Sequence, residues 1–206
     1  MTGEGAARAE VDRPAAGEPA FLLVLTHGAG GNPGSPDLLA VADAALGLGG
    51  TVARVTQPYR VKGRRAPGSP DRQDAAWAEV IAALRAAAGA GLPLIQGGRS
   101  NGARVACRTA TEARAIAVLC LAFPLHPPGR GDDPRKSRLP ELEAATVPVL
   151  VVQGERDPFG MPPGGPNRTV VALPGNHLLR SGSEIGAAVA DWLPTVVPAR
   201  SPARTR

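Results

Sequence analysis

The sequence predicts an α/β protein: one minimal, doubly wound, mostly parallel sheet of about six strands, covered by helices on both faces and carrying no cap domain. Three observations support this. Short apolar runs alternate with Ala-rich helical stretches along most of the chain. Most of those runs are continuously apolar rather than alternating, as parallel strands covered on both faces require. The length of 206 residues, with 43% hydrophobic and 20% charged side chains, suits one domain with a single sizeable core.

Residues 1–19 are polar and Ala/Gly-rich and are expected to form a flexible arm. The domain is expected over 20–197, followed by a basic tail, PARSPARTR, at 198–206. Strands are expected at FLLVLT (21–26), TVARV (51–55), PLIQGG (93–98), AIAVLCLAF (115–123), PVLVVQ (148–153) and RTVVAL (168–173). The helices between them announce their starts. Ser35-Pro36-Asp37 and Ser69-Pro70-Asp71 each offer an N-cap, a proline at the first helical position and an acid at the positive helix end. These helices run to about Gly47 and Gly89. Ser181-Gly182-Ser183-Glu184 has capping-box spacing and opens a last helix through Trp192.

Composition narrows the function. The net charge is +5, with only Lys62 and Lys136 among the mostly Arg cations, and aromatic residues make up 3%. No zinc spacing, RNP-like motif or long basic run accompanies that charge, so nucleic acid is not an expected partner. The first twenty residues lack the apolar stretch of a signal peptide, and the apolar runs are too short to cross a bilayer. A cytoplasmic protein without a membrane partner is expected. Cys107 and Cys120 have no metal-like spacing and read as reduced core residues. No metal or organic cofactor is implied.

In an open α/β sheet, ligands bind beyond the carboxyl ends of the strands. Here those ends lead into His27-Gly28-Ala29-Gly30-Gly31, then Ser100, then Gly154-Glu155-Arg156-Asp157, then Pro174-Gly175-Asn176-His177. Gly98-Arg99-Ser100-Asn101-Gly102 fits G-x-S-x-G, a turn that presents a nucleophile, and Gly98, Gly102 and Ala103 leave room for it to be sharp. A serine hydroxyl needs an imidazole to take its proton, and the imidazole needs a carboxylate to hold its tautomer. Ser100, His177 and Asp157 are therefore the candidate catalytic residues. The backbone N–H groups of Ala29 and Asn101 are the candidate oxyanion donors. Rival readings exist for each: Ser100 as a helix N-cap, Asp157 as a turn residue, His177 as a surface or capping histidine. The glycine loop HGAGGNPG could also suggest a dinucleotide fingerprint, but residue 33 is proline, and the second strand ends Val55-Thr56-Gln57 without an acid for a ribose.

With these residues assembled, the chain resembles the α/β-hydrolases, and more narrowly the small branch related to dienelactone hydrolase. It is most similar to the hydrolase-like family shared by bacterial proteins and a subunit of the non-specific lethal chromatin complex. The resemblance rests on HGAGG (27–31), GGRSNGAR (97–104), FPLHPPG (123–129), VVQGERDPFG (151–160) and PGNH (174–177). It implies an α/β-hydrolase fold and Ser100, Asp157 and His177 as a triad. Relatives usually carry methionine where this chain has Asn101, a change that spares the backbone donor. Dienelactone chemistry normally uses a cysteine nucleophile, so serine points instead to a carboxylic ester, thioester or similar acyl bond. Because the family includes members regarded as scaffolds, a non-catalytic interaction module is the alternative.

The segment between Phe123 and Val147 is short, proline-rich and charged, so an open site without a lid is expected, with at most one small helix there. His27, Gly28, Arg64 and His126 are candidate substrate-binding residues. Two basic clusters, Arg60, Lys62, Arg64 and Arg65, then Arg130, Arg135, Lys136 and Arg138, could attract an anionic small-molecule acyl substrate. The oligomeric state is not legible.

Overall fold

The computed structural model describes residues 1–199, so the expected basic tail lies outside the described residues from Arg200 onward. A single sheet forms from β1 (Arg8–Asp12), β2 (Phe21–Thr26), β3 (Gly50–Thr56), β4 (Leu94–Arg99), β5 (Ala117–Leu121), β6 (Val149–Gly154) and β7 (Arg168–Leu173). Its order is β1-β3-β2-β4-β5-β6-β7, and every pairing is parallel except that of β1 with β3. The helices are α1 (Pro36–Gly47), α2 (Pro58–Val61), α3 (Pro70–Ala88), α4 (Asn101–Thr109), α5 (Leu139–Glu143) and α6 (Gly182–Val196). None of the helices among the described residues is long and apolar enough to cross a membrane.

The period of two along the strands divides the core. Leu22 and Val24 of β2, with Val55 and Val118, meet Trp77 and Ile81 of α3 and Val105 of α4 on one face. Leu23 and Leu25, with Val52, Ile95 and Leu150, meet Leu38 and Val41 of α1 and Ile185 and Trp192 of α6 on the other. Both faces are covered, which is why the strand sequences carry no polar alternation. The six expected strands are all present.

The seventh strand corrects the expectation for residues 1–19. Residues 8–12 are not a loose arm; they pair antiparallel with β3, from Arg8 opposite Thr56 to Asp12 opposite Val52. The strand escaped the sequence reading because it is an edge strand exposed along nearly all its length, so it has no apolar signature. Charge holds it instead: Arg54 of β3 reaches Glu10 at 3.1 Å and Asp12 at 3.2 Å.

The helix starts fall where the prolines placed them, but the capping serines do not cap. Ser35, Ser69 and Ser181 make no side-chain cap hydrogen bond, and Ser35 Oγ is buried without a partner among the described residues. Between Phe123 and Val147 stand two short pieces rather than one, a 3₁₀ turn at Pro134–Lys136 and α5. No cap domain interrupts the sheet. Arg104 and Arg108 of α4 grip Glu141 of α5 at 2.6 and 2.8 Å, pinning that segment to the side of the domain.

This topology sets the site. From β2 the chain steps outward to β3, then returns past β2 to β4, so the crevice at the carboxyl ends of β2 and β4 is the switch point of the sheet. The glycine loop follows β2 and Ser100 follows β4.

Candidate active site

Ser100 joins β4 to α4 with φ 51° and ψ −111°. Few residues with a Cβ occupy that region, and the surrounding backbone enforces it. Ser100 N–H donates to Leu121 O at 2.8 Å, and Arg104 N–H donates to Ser100 O at 3.3 Å. The bracketing glycines are obligatory for contact reasons. A Cβ on Gly98 would lie 2.5 Å from Thr26 O and 2.8 Å from the Gly102 carbonyl carbon, and one on Gly102 would lie 2.7 Å from Thr26 O. The turn therefore packs directly on the end of β2. Ser100 is not an ordinary helix N-cap, since its side chain makes no capping bond. Its hydroxyl instead lies 3.1 Å from His177 Nε2.

His177 Nδ1 lies 2.8 Å from Asp157 Oδ2. A carboxylate can only accept, so Nδ1 carries the proton and Nε2 is left to accept from the Ser100 hydroxyl. Asp157 is more than a turn residue: its side chain is fully buried. Oδ1 accepts from Phe159 N–H at 2.9 Å, and Oδ2 accepts from Gln153 Nε2 at 2.9 Å as well as from the imidazole. Gln153 is wholly buried on β6, and its Nε2, with two N–H to share, also lies 3.1 Å from Phe123 O and 2.8 Å from Gly160 O, so it ties the acid loop to the loop after β5. The Phe159 ring lies against the imidazole, with centroids 4.3 Å apart and planes inclined at 37°. Neither Gln153 nor Phe159 was singled out by the sequence. A buried glutamine inside an otherwise apolar strand run was the available signal for the first.

Of the candidate oxyanion donors, Asn101 follows Ser100 in the chain and Ala29 follows Gly28 in the glycine loop. Neither Ala29 N–H nor Asn101 N–H has an acceptor within the described residues. The Asn101 side chain is buried and donates to Gln73 Oε1 at 2.7 Å, which fixes the start of α4 against α3. Gly28 borders the serine closely, since a Cβ there would lie 3.2 Å from Ser100 Cβ.

One of the expected substrate contacts is corrected. His27 is 1% exposed and turned into the protein. Its Nε2 accepts from Gln57 N–H at 3.1 Å, which leaves Nδ1–H to donate to Gly28 O at 2.8 Å. Burial lowers its pKa, the Gly28 bond opposes that in part, and Arg60 adds to the lowering. His27 therefore braces the glycine loop as a neutral imidazole and is not open to substrate. His126 is half-buried and packs against its own loop: Nδ1 lies 2.8 Å from Pro127 O, and the ring sits against Gly160 and Gly131. Arg64 lines a cavity of about 110 Å³ with Tyr59, Lys62, Arg72 and Gln73, beside the glycine loop. Of the other expected cations, Arg60 donates to Gly31 O at 3.0 Å, Arg138 to Pro124 O at 3.1 Å, and Arg135 pairs with Asp133 at 2.9 Å.

Arg99, the variable residue of the turn motif, is a further participant. Its Nε donates to Asp37 Oδ2 at 2.7 Å and its Nη2 to His177 O at 2.7 Å. Asp37 was expected as an acid facing the positive end of α1. It does stand in the first turn of α1, where it accepts from Leu38 N–H at 2.9 Å, and it is also 1% exposed and paired with Arg99.

A doubly wound sheet with a serine, an imidazole and a carboxylate joined at its carboxyl edge, and no lid above them among the described residues, has the form of an α/β-hydrolase. The chain belongs to the alpha/beta hydrolase domain family, whose model matches residues 19–164. Among solved structures it is similar to a serine hydrolase without a lid from Xanthomonas campestris, at 22% identity and a TM-score of 0.75 over 98% of this chain and 95% of that one. A serine hydrolase homologue from Coxiella burnetii gives 16% identity, 94% of each chain and a TM-score of 0.74. Dienelactone hydrolase from Anabaena variabilis gives 17%, 96% and 95%, and 0.70. No curated protein matches the chain.

Proposed function

We propose that this protein is a serine hydrolase that cleaves a carboxylic ester, thioester or similar acyl bond through an acyl-enzyme on Ser100. The observation that carries this reading is the continuous path from Ser100 Oγ to His177 Nε2 at 3.1 Å and from His177 Nδ1 to Asp157 Oδ2 at 2.8 Å. In the first half-reaction Ser100 Oγ attacks the acyl carbon while its proton passes to His177 Nε2. The carbonyl π electrons move onto oxygen, where the free amides of Ala29 and Asn101 receive the developing charge. The tetrahedral adduct collapses, the bond to the leaving oxygen or sulfur breaks, and His177 returns the proton to it. Water then repeats the sequence on the acyl-enzyme and releases the acid and free Ser100. Asp157 stays a carboxylate throughout, holding the tautomer and offsetting the imidazolium charge.

The cavity beside the glycine loop suggests the acyl group. Two of its lining residues touch neighbours of Ser100: Tyr59 Oη lies 3.5 Å from Gly28 O, and Gln73 Oε1 accepts from the Asn101 side chain at 2.7 Å. Burial raises the Tyr59 pKa to about 12, a shift Arg60 opposes, so the phenol stays neutral at working pH. Lys62, Arg64 and Arg72 face Glu4 as the lone acid of that lining, which favours a small anionic acyl group. Neutral and acidic esters compared across ionic strength test this; equal kcat/KM with no salt dependence would remove the anionic preference. Within its family we place the chain in the small dienelactone-hydrolase-related branch shared with the chromatin-complex subunit, on the motifs quoted above. The reading calls for no cofactor and no nucleic-acid or membrane partner. It sets the protein in the cytoplasm, where the buried free thiols of Cys107 and Cys120 stay reduced.

A fluorophosphonate probe tests serine reactivity without a choice of substrate. Labelling of the wild type, absent in folded Ser100→Ala and His177→Ala, is the expected result. No labelling of the folded wild type would overturn the enzyme reading in favour of a non-catalytic module.

A further inference from the structure

We propose that Arg99, charged against buried Asp37, is a positioning residue that sets the distance between the nucleophile and its general base; this rests on the hydrolase reading. Arg99 immediately precedes Ser100 and is the last residue of β4. Its guanidinium spans two loops at once, with Nε on Asp37 Oδ2 and Nη2 on the carbonyl of His177 itself, each at 2.7 Å. A third nitrogen, Nη1, lies against the glycine loop, 3.3 Å from where a Gly28 Cβ would sit. One side chain thus touches the turn that carries the serine, the loop that carries the oxyanion donor and the backbone of the histidine.

The histidine loop needs such an anchor. It follows β7, an edge strand that is only partly buried until Leu173. Gly175 has φ 127°, and Leu178, next to His177, is 52% exposed. Within the loop Leu178 N–H donates to Asn176 Oδ1 at 3.1 Å and Leu179 N–H to Asn176 O at 3.2 Å, and Arg156 N–H ties Gly175 O to the acid loop at 2.8 Å, but none of these bonds reaches the strand that carries Ser100. Arg99 adds a tie from the centre of the sheet, and that tie originates on the nucleophile's own strand.

Stability alone does not account for this pair. A buried ion pair contributes little to stability against well-packed apolar residues of the same volume, because desolvation offsets the attraction. What an apolar pair could not supply is a fork that meets a carboxylate and a carbonyl simultaneously in fixed directions. Asp37 holds one side of the guanidinium, so the other side points at His177 O. The consequence is a fixed Ser100–His177 separation, and a misplacement of about 1 Å at such a distance lowers rates by roughly 100-fold.

The test compares Arg99→Lys with wild type, together with the neutral pair Asp37→Asn/Arg99→Gln, in which no charge is left buried and unpaired. Lysine preserves the ion pair with Asp37 but brings one compact ammonium in place of the fork, so it would rescue a merely structural role. Two quantities are read at matched thermal midpoint. One is the second-order rate of fluorophosphonate labelling; the other is the far-downfield proton resonance of His177 Nδ1–H, which reports the bond to Asp157 whether or not the protein is an enzyme. The expected result is a labelling rate lowered about 10- to 100-fold in both variants, with the resonance broadened or lost. A folded Arg99→Lys that labels at the wild-type rate and keeps a sharp resonance overturns the proposal. If the folded wild type does not label, the hydrolase reading fails by itself. The resonance then decides the anchor: its loss in Arg99→Lys supports it, and its persistence overturns it.

Discussion

The backbone at Ser100 reverses a familiar stability order. At most exposed or helical sites alanine is favoured over glycine, because glycine loses more chain entropy on folding, by roughly 0.5–1 kcal/mol. Ser100 holds φ 51° and ψ −111°, a region that costs a residue with a Cβ on the order of 1–3 kcal/mol. Ser100→Ala removes the hydroxyl and its bond to His177 Nε2 while keeping the Cβ and its strain. Ser100→Gly removes both. The difference between the two variants is therefore the relief of strain less the entropy of glycine, about 1 kcal/mol in favour of glycine. In a chain of this size that corresponds to a thermal midpoint higher by roughly 2–4 °C. Calorimetry on the two purified variants reads it directly. A glycine variant less stable than the alanine variant would mean that the turn is not strained, and that its shape is the relaxed state of this sequence.

Three other outcomes follow from the same geometry. Asp157→Asn leaves His177 Nδ1 facing an amide that can present a donor, and is expected to slow fluorophosphonate labelling by about 10⁴-fold with the fold intact; a change below tenfold would remove Asp157 from the proton path. Gly98→Ala drives a Cβ against Thr26 O and the Gly102 backbone, neither of which can rotate away, and should lower stability by about 3 kcal/mol or more, read as a shift in urea midpoint. His27 has a lowered pKa in the folded protein, so the stability it contributes is present above its ordinary value of 6.5 and is lost as pH falls through 6.5 toward the folded value. Denaturant titrations at pH 7.5 and 5.5 should show that loss in the wild type and a smaller one in His27→Gln.

The parallel sheet was legible because its strands are wrapped on both faces, which leaves unbroken apolar runs such as FLLVLT and PVLVVQ. The juxtaposition of Ser100, His177 and Asp157 was legible because each of them follows a strand, and strand ends converge by topology whatever the loops contain. What stayed hidden depends on contacts between distant elements. Asp37 carries the pattern of a helix-start acid, and only the folded chain brings Arg99 to it across 62 positions. His27 begins the glycine loop, a position that predicts a ligand contact, yet its partner Gln57 follows the end of β3 and turns the ring inward. Gln153 and Phe159 act through single contacts with the acid and the imidazole, and a single contact imposes no period on a sequence.

The short first strand has a practical side. A polar, Ala/Gly-rich leader is the kind of segment routinely trimmed before expression. Cutting at Ala20 would strip the ladder from Arg8–Thr56 to Asp12–Val52 and uncover the outer edge of β3. It would also leave the Arg54 guanidinium, whose side chain is 13% exposed, without Glu10 and Asp12. An open, β-branched edge of that kind is a template for pairing with another chain. A shortened protein that precipitates would thus report a lost selvedge, the finished border that keeps a woven sheet from joining its neighbour.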